Sequence, residues 1–171
     1  MNISIGAYAE SMVKLHVRDV MTTQVVTLKE TDTIKQATVL FALHNISGAP
    51  VVDDGRHLIG ILSETDILEL VMKYQNTLHI DHPSLYMLES PMDDTSPDED
   101  IKKASDAISK TLVKDIMTRT VLTTVPDAMI ADVTQEMIKK TVNRVPVLEK
   151  GVLVGIISRG DIIFSIYKKK R

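Results

Sequence analysis

An internal repeat constrains this chain more than any other feature of its sequence. Residues 18–22 (Arg-Asp-Val-Met-Thr) return at 114–118 as Lys-Asp-Ile-Met-Thr, an offset of 96 (114 minus 18). After a turn in each copy the offset is 95 (155 minus 60), which aligns 60–67 with 155–162. One residue is therefore missing from a turn of the second copy, where a deletion costs least. The repeat predicts that one structural module occurs twice.

Each copy has the pattern of a mixed α/β module. In the first copy, β-branched residues at 25–28 predict a strand, and oxygen-bearing side chains at 31–33 precede a helix with one apolar face. A hairpin follows, with a positive φ expected at Gly55 in its turn, and then a second helix. In the first copy, the predicted hairpin strands are 49–52 and 58–62, and the second helix is 64–74. In the second copy, the first helix is predicted at 128–141, the hairpin strands at 145–148 and 153–157, and the second helix from Asp161 onward.

The repeats also suggest a domain organisation. We expect a first repeat at 1–76, an acidic linker with prolines at 77–100, and a second repeat at 101–171. Each repeat is expected to include a leading helix of its own. The linker composition favours a mobile segment that takes part in regulation.

Composition excludes several classes of protein. The chain of 171 residues has no cysteine, so neither disulfides nor zinc-thiolate sites are possible. Its net charge of −3 disfavours a protein dedicated to nucleic acid, and the basic tail at 168–171 is expected to be solvated. The first ten residues lack a secretory pattern and no long apolar run occurs, so we expect a cytoplasmic protein with no membrane contact.

The sequence offers little chemistry for catalysis or metal binding. It lacks a Gly-x-Ser-x-Gly elbow, a phosphate-binding Gly-rich loop and a cysteine nucleophile, so we expect no enzyme. His79 and His82 flank Asp81, but this cluster lacks the further fixed ligands of a structural site. We therefore expect no metal site.

The duplicated Ser-x-x-Asp motif is the best candidate for a binding site. Ser63 and Asp66, like Ser158 and Asp161, fall where a predicted strand meets a helix. The free N–H groups at a helix start attract a phosphate, and an aspartate there can accept hydrogen bonds from ribose hydroxyls. The alternative is that the serines only cap helices while the aspartates complement the helix dipole.

Three motifs together carry a family resemblance. An Asp-Val/Ile-Met-Thr entry, a Pro-Val strand start and a Gly-Ile-hydrophobic-Ser-x-x-Asp exit, each present twice, resemble a tandem pair of CBS domains, often called a Bateman module. The resemblance implies two β-α-β-β-α units in a pseudo-twofold pair, each with a small mixed sheet and packed helices. It also implies clefts for adenosine-containing ligands such as AMP, ADP, ATP or S-adenosylmethionine, and a homodimer.

The family pattern implies two sets of ligand-binding residues, with sugar and phosphates on the Ser-x-x-Asp of one repeat and the base against strands of the other. The first set is Ser158, Arg159, Asp161, Thr22, Thr23, Val26, Ser47, Ala49 and Pro50. The second set is Ser63, Asp66, Thr118, Arg119, Leu122, Asn143, Arg144, Val145 and Pro146.

The two sets differ in charge. Arg119, Arg144 and Arg159 are candidate phosphate partners, although each is also compatible with ordinary surface solvation. The first copy has Glu64 where the second has Arg159, so we expect the Asp161 cleft to bind a phosphorylated adenosine ligand more tightly.

Two classes of function therefore compete. The leading one is a stand-alone regulatory module that senses an adenosine nucleotide and signals to a separate effector protein. The other is a structural module with vestigial clefts that only dimerises. Dimerisation is expected through apolar helical faces that a single chain leaves uncovered, formed by Ile67, Leu68, Val71, Ile162, Ile163 and Ile166.

Overall fold

The structure is a computed structural model that describes residues 15–77 and 99–168. The leading helix predicted before the first copy, the linker, the His79–His82 cluster and the basic tail lie almost wholly outside these residues. The helices are α1 (Ile34–His44), α2 (Glu64–Thr77), α3 (Glu99–Lys110), α4 (Val113–Ile116), α5 (Ile130–Lys139) and α6 (Arg159–Lys168). The strands are β1 (Gly48–Val52), β2 (Leu58–Ser63), β3 (Arg144–Glu149) and β4 (Val152–Ser158).

The start of α1 shows how the sequence defines a helix. Thr33 is the N-cap, and its hydroxyl accepts from the backbone N–H of Gln36 at 3.2 Å. The Gln36 side chain accepts in return from the Thr33 N–H at 2.8 Å, which completes a capping box. The helix ends at Asn45, whose φ of 50° is left-handed. The capping oxygens predicted at 31–33 are therefore confirmed.

Each repeat builds a small sheet around a hairpin. β1 pairs with β2, and β3 pairs with β4 in an antiparallel register with an irregularity between Val147 and Leu148. Before each first helix, the chain adds one parallel bridge to the hairpin, Leu28 to Val51 and Thr124 to Val147. The predicted β-α-β-β-α plan is confirmed, although its first strand is only an isolated bridge.

The turn of the first hairpin differs from the prediction. The positive φ falls on Arg56, at 62°, and not on Gly55. Arg56 is held there because its carbonyl accepts from the N–H of Leu153 at 3.0 Å. In the second copy the shorter turn places positive φ on Lys150 and Gly151, at 51° and 85°.

The compact units of the fold are not the sequence repeats. Of the described residues, 15–25, 54–58 and 121–168 form one unit, here called unit 1, and 26–53, 59–77 and 99–120 form unit 2. The segment that leads each copy, with its Met-Thr motif, therefore folds with the helices and hairpin of the other copy. Matching the repeats reveals two similar sequences but not which segments pack together.

Each unit has its own core. In unit 2 the core contains Leu28, Ile34, Leu62, Ile108 and Val113, and in unit 1 it contains Val17, Ile130, Met137, Val147 and Ile157. Val71 and Ile162 belong to these cores and are 3% and 4% exposed. Their predicted place on an uncovered dimer face was wrong, because each points into the core of its own unit. None of the described helices is long and apolar enough to cross a membrane.

Candidate functional site

The Ser63–Asp66 turn of unit 2 joins the end of β2 to the first turn of α2. Asp66 Oδ2 accepts from the Ser63 N–H at 2.7 Å and from the Ser63 hydroxyl at 2.6 Å. The Asp66 N–H lies 3.5 Å from Ser63 Oγ, as in a reciprocal cap. Both side chains are half-buried, and within this turn the carboxylate contacts Ser63 through Oδ2 only.

The Ser158–Asp161 turn of unit 1 repeats this geometry between β4 and α6. Asp161 Oδ2 accepts from the Ser158 N–H at 2.8 Å and from its hydroxyl at 2.6 Å. The Asp161 N–H donates to Ser158 Oγ at 3.2 Å. The helix-capping alternative considered for the sequence is thus present in both units, and it leaves Oδ1 of each aspartate outside the cap.

The Met-Thr segments lie beside these turns. Thr118 exchanges two backbone hydrogen bonds with Ile61, and Thr22 exchanges two with Ile156, all at 2.9 Å. Ile61 and Ile156 each lie two residues before the serine of a turn. The pairing therefore puts each threonine beside the end of the strand that leads into that turn.

Glycines allow this close approach. A Cβ on Gly60 would lie 2.6 Å from Met117 Sδ, and one on Gly155 would lie 2.6 Å from Met21 Sδ. The methionine of each entry motif therefore packs on the glycine of an exit motif. The sequence contained both motifs, but it did not show that they come from opposite copies.

The start of each hairpin lies beside the same turn. The Glu64 N–H donates to the Ser47 carbonyl at 3.1 Å, and the Arg159 N–H donates to the Asn143 carbonyl at 3.0 Å. Each unit thus gathers a Ser-x-x-Asp turn, a Met-Thr segment and the residue before the hairpin around the start of one helix.

Comparison with known proteins identifies the architecture. The family model of the CBS domain matches residues 17–73 and 113–168. The chain belongs to the CBS domain family. Its tandem CBS repeats coincide with the two copies found in the sequence.

Relatives cover nearly the whole chain. It is 35% identical over 152 residues to the uncharacterized protein MJ1426 of Methanocaldococcus jannaschii. This match covers 88% of this chain and 90% of the relative. The CBS domain of a CBS domain containing membrane protein from Sphaerobacter thermophilus is 27% identical, with a TM-score of 0.71 and coverage of 93% and 92%. The CBS domain pair of protein MJ0100, solved with 5′-methylthioadenosine and S-adenosylmethionine, is 25% identical, with a TM-score of 0.63 and coverage of 91% and 98%.

The arginines of the CBS repeats are partly engaged by their own units. Arg159 donates from Nε to the Val142 carbonyl at 3.1 Å and from Nη2 to the Met137 carbonyl at 3.3 Å, so it caps the end of α5. Arg119 donates from Nη2 to the Lys114 carbonyl at 3.2 Å. Arg144 is half-buried at the start of β3. Some of the donors expected to hold phosphate therefore stabilise the fold.

The other predicted ligand-binding residues are divided between the units. Ala49 and Val145 are completely buried core residues, so their side chains are unavailable to a ligand in this conformation. Pro50 and Pro146 are also buried, and each offers its carbonyl to a neighbouring segment, at Leu28 and Thr124 respectively. Of the remaining predicted residues, Val26 belongs to unit 2, whereas Thr23 and Leu122 belong to unit 1. The two complete sets remain predictions.

No metal-binding cluster is found in the part of the chain that the structure describes. Across 15–77 and 99–168, no three His, Asp or Glu side chains converge closely enough to hold an ion.

Proposed function

We propose that this chain is a regulatory module that binds an adenosine-containing ligand, AMP, ADP, ATP or S-adenosylmethionine, at its Ser-x-x-Asp turns. The observation that supports the proposal is the duplicated carboxylate, held by one oxygen in a cap and leaving the other beside a helix start. The adenosine compounds bound to the MJ0100 pair, which shares this architecture, favour the same ligand class.

Each turn suits the two polar parts of such a ligand. The oxygen that lies outside the cap, Oδ1 of Asp66 or Asp161, accepts from a sugar hydroxyl, and the positive end of the helix dipole at the start of α2 or α6 attracts a phosphate or carboxylate. No bond is made or broken in this account. The ligand acts by stabilising one conformation, and the signal passes to an effector protein through the surface of the module.

The Asp161 turn is the tighter site in this proposal. Its helix begins with Arg159, whereas the α2 helix begins with Glu64, so an anionic ligand meets a cation in one unit and a carboxylate in the other. The engagement of Arg159 at the end of α5 reduces this advantage but leaves the sign of the charge difference unchanged.

A structural dimerisation module is the second candidate function. In this candidate the clefts are vestigial. The reciprocal Ser–Asp caps favour it, because Ser and Asp satisfy one another in both units without any ligand. The two functions make different predictions for stability: binding to the folded state alone adds about 2.7 kcal/mol at ligand near one hundred times its Kd, whereas a purely structural module gains nothing.

Thermal unfolding with a ligand panel tests the proposal. The chain is melted alone and with millimolar adenosine, AMP, ADP, ATP or S-adenosylmethionine, with GMP and CMP as controls for the base. A rise in Tm restricted to adenosine compounds supports the sensor. An unchanged Tm with every compound rejects it in favour of the structural module.

A further inference from the structure

The two aspartates are equivalent in sequence, but their second oxygens have different surroundings. In unit 2, the hydroxyl of Thr118 lies 3.3 Å from Asp66 Oδ1, which accepts its hydrogen bond. In unit 1, Thr22 holds the corresponding backbone position, yet no described residue donates to Asp161 Oδ1. The oxygen left for a ligand is therefore occupied in one unit and open in the other.

We infer that Thr118 determines the affinity of the Asp66 site by competing with a ligand hydroxyl for this oxygen. The inference rests on the proposed function and assigns the difference between the two sites to one side chain. Thr118 is a specificity-determining residue in this view, and the site it guards favours ligands that do not depend on a sugar hydroxyl.

The backbone holds Thr118 in place for this role. Its N–H donates to the Ile61 carbonyl and its carbonyl accepts from the Ile61 N–H, both at 2.9 Å, and Ile61 is two residues before Ser63. The carboxylate is equally constrained, because Oδ2 is held by Ser63. Donor and acceptor therefore remain close whenever the site is empty.

Competition lowers the gain from ligand binding. A hydroxyl bound to a carboxylate is one of the stronger hydrogen bonds of a protein. At Asp161 a ligand hydroxyl replaces only water, whereas at Asp66 it also displaces the Thr118 hydroxyl or shares the oxygen with it. The net gain at Asp66 is then the difference between two similar bonds.

This mechanism is separable from the charge difference between Glu64 and Arg159. Adenosine has no phosphate, so its affinity is insensitive to these charges to first order, but it retains the 2′- and 3′-hydroxyls of the sugar. The compound 2′,3′-dideoxyadenosine keeps the base and lacks both hydroxyls. Only a contact with the sugar hydroxyls distinguishes these two ligands.

The experiment is a calorimetric titration of the full chain carrying Asp161→Asn, which removes the competing acceptor in unit 1. In this background, the protein with Thr118 intact is compared with the Thr118→Val and Thr118→Ser proteins. Val has nearly the same shape as Thr and suits a strand position. We expect Thr118→Val to bind adenosine about two- to tenfold more tightly, since one hydrogen bond is no longer displaced. Its affinity for 2′,3′-dideoxyadenosine should stay unchanged. The Thr118→Ser protein should bind adenosine with the same affinity as the protein that keeps Thr118, because serine retains the hydroxyl.

Each other outcome overturns the inference. Equal changes for both ligands, or weaker adenosine binding by Thr118→Val, means that Thr118 does not compete for Asp66, while the proposed function stands. Absence of binding of any adenosine compound to the wild type rejects the proposed function and the competition together.

A second measurement needs no ligand. Urea midpoints of Thr118→Val, Asp66→Ala and the double variant should be non-additive, because both single changes remove the same hydrogen bond. Additive midpoints would show that the bond is not formed in solution, and the inference would fail whatever the titrations give.

Discussion

At the scale of single residues, the contact between Met21 and Gly155 leaves no room for a side chain at position 155. A Cβ at position 155 would lie 2.6 Å from Met21 Sδ and 3.2 Å from the Thr22 carbonyl oxygen. The methionine is flexible, but the carbonyl is fixed by its bond to Ile156. We predict that Gly155→Ala lowers the free energy of unfolding by about 1–3 kcal/mol, measured by urea denaturation.

Gly160→Ala is the matched control for this substitution. Its Cβ would meet nothing nearer than Ser158 Oγ at 3.5 Å, and the position is helical. It should leave stability unchanged or raise it by about 0.5–1 kcal/mol, the helix propensity gained. Equal losses for the two alanine variants would contradict the packing described for Gly155.

At the scale of elements, Arg159 links the start of α6 to the end of α5. Its two side-chain hydrogen bonds reach the Met137 carbonyl in the last turn of α5, which also accepts from the Val142 N–H, and the Val142 carbonyl just beyond the helix. We predict that Arg159→Ala costs about 1–2 kcal/mol of unfolding free energy, and that Arg159→Lys recovers only part because an ammonium lacks the planar fork.

Arg119→Ala is the comparison for Arg159. Arg119 makes one such bond, to the Lys114 carbonyl, so its removal should cost less in the same urea titration. An Arg159→Ala protein as stable as the wild type would show that this arginine has no capping role and restore it as a free phosphate partner.

The elements also show how far the sequence was informative. Hairpins and helices were predicted within a few residues, because capping residues and apolar spacing are local signals, as at Thr33. The motifs alone did not predict the exchange of leading segments, since both copies carry the same Met-Thr and Gly motifs and either pairing fits them; only the family resemblance placed Thr22 with Asp161 and Thr118 with Asp66. The Thr118 to Asp66 bond was missed for a related reason: 52 residues separate its partners, and Thr22 has the same sequence context without the bond.

At the scale of the whole molecule, association of two chains is a prediction supported by exposed apolar side chains. Leu68 and Met72 on α2 are 48% and 52% exposed, and Ile163 and Phe164 on α6 are 56% and 64% exposed. We predict a homodimer that covers these residues. The double variant Leu68→Glu with Ile163→Glu should shift it to monomer in light scattering at micromolar concentration.

Leu43→Glu is the control for association. Leu43 is 77% exposed and belongs to α1, not to α2 or α6, so the variant should remain dimeric if those two helices form the interface. A monomeric wild type at micromolar concentration, or equal dissociation by Leu43→Glu, would contradict the assignment to α2 and α6.

The most direct test of the account is calorimetric titration of the wild type, Asp161→Asn and Asp66→Asn with AMP. An asparagine keeps an oxygen for the Ser158 or Ser63 cap but replaces the outer acceptor with an N–H donor, so folding is preserved while the sugar hydroxyl loses its bond to a charged carboxylate and keeps at most a weaker one from the amide. We predict that Asp161→Asn weakens the tighter binding event about five- to hundredfold, the equivalent of about 1–3 kcal/mol, and that Asp66→Asn leaves that event intact. Unchanged AMP binding in both variants would contradict the role given to the Ser-x-x-Asp turns.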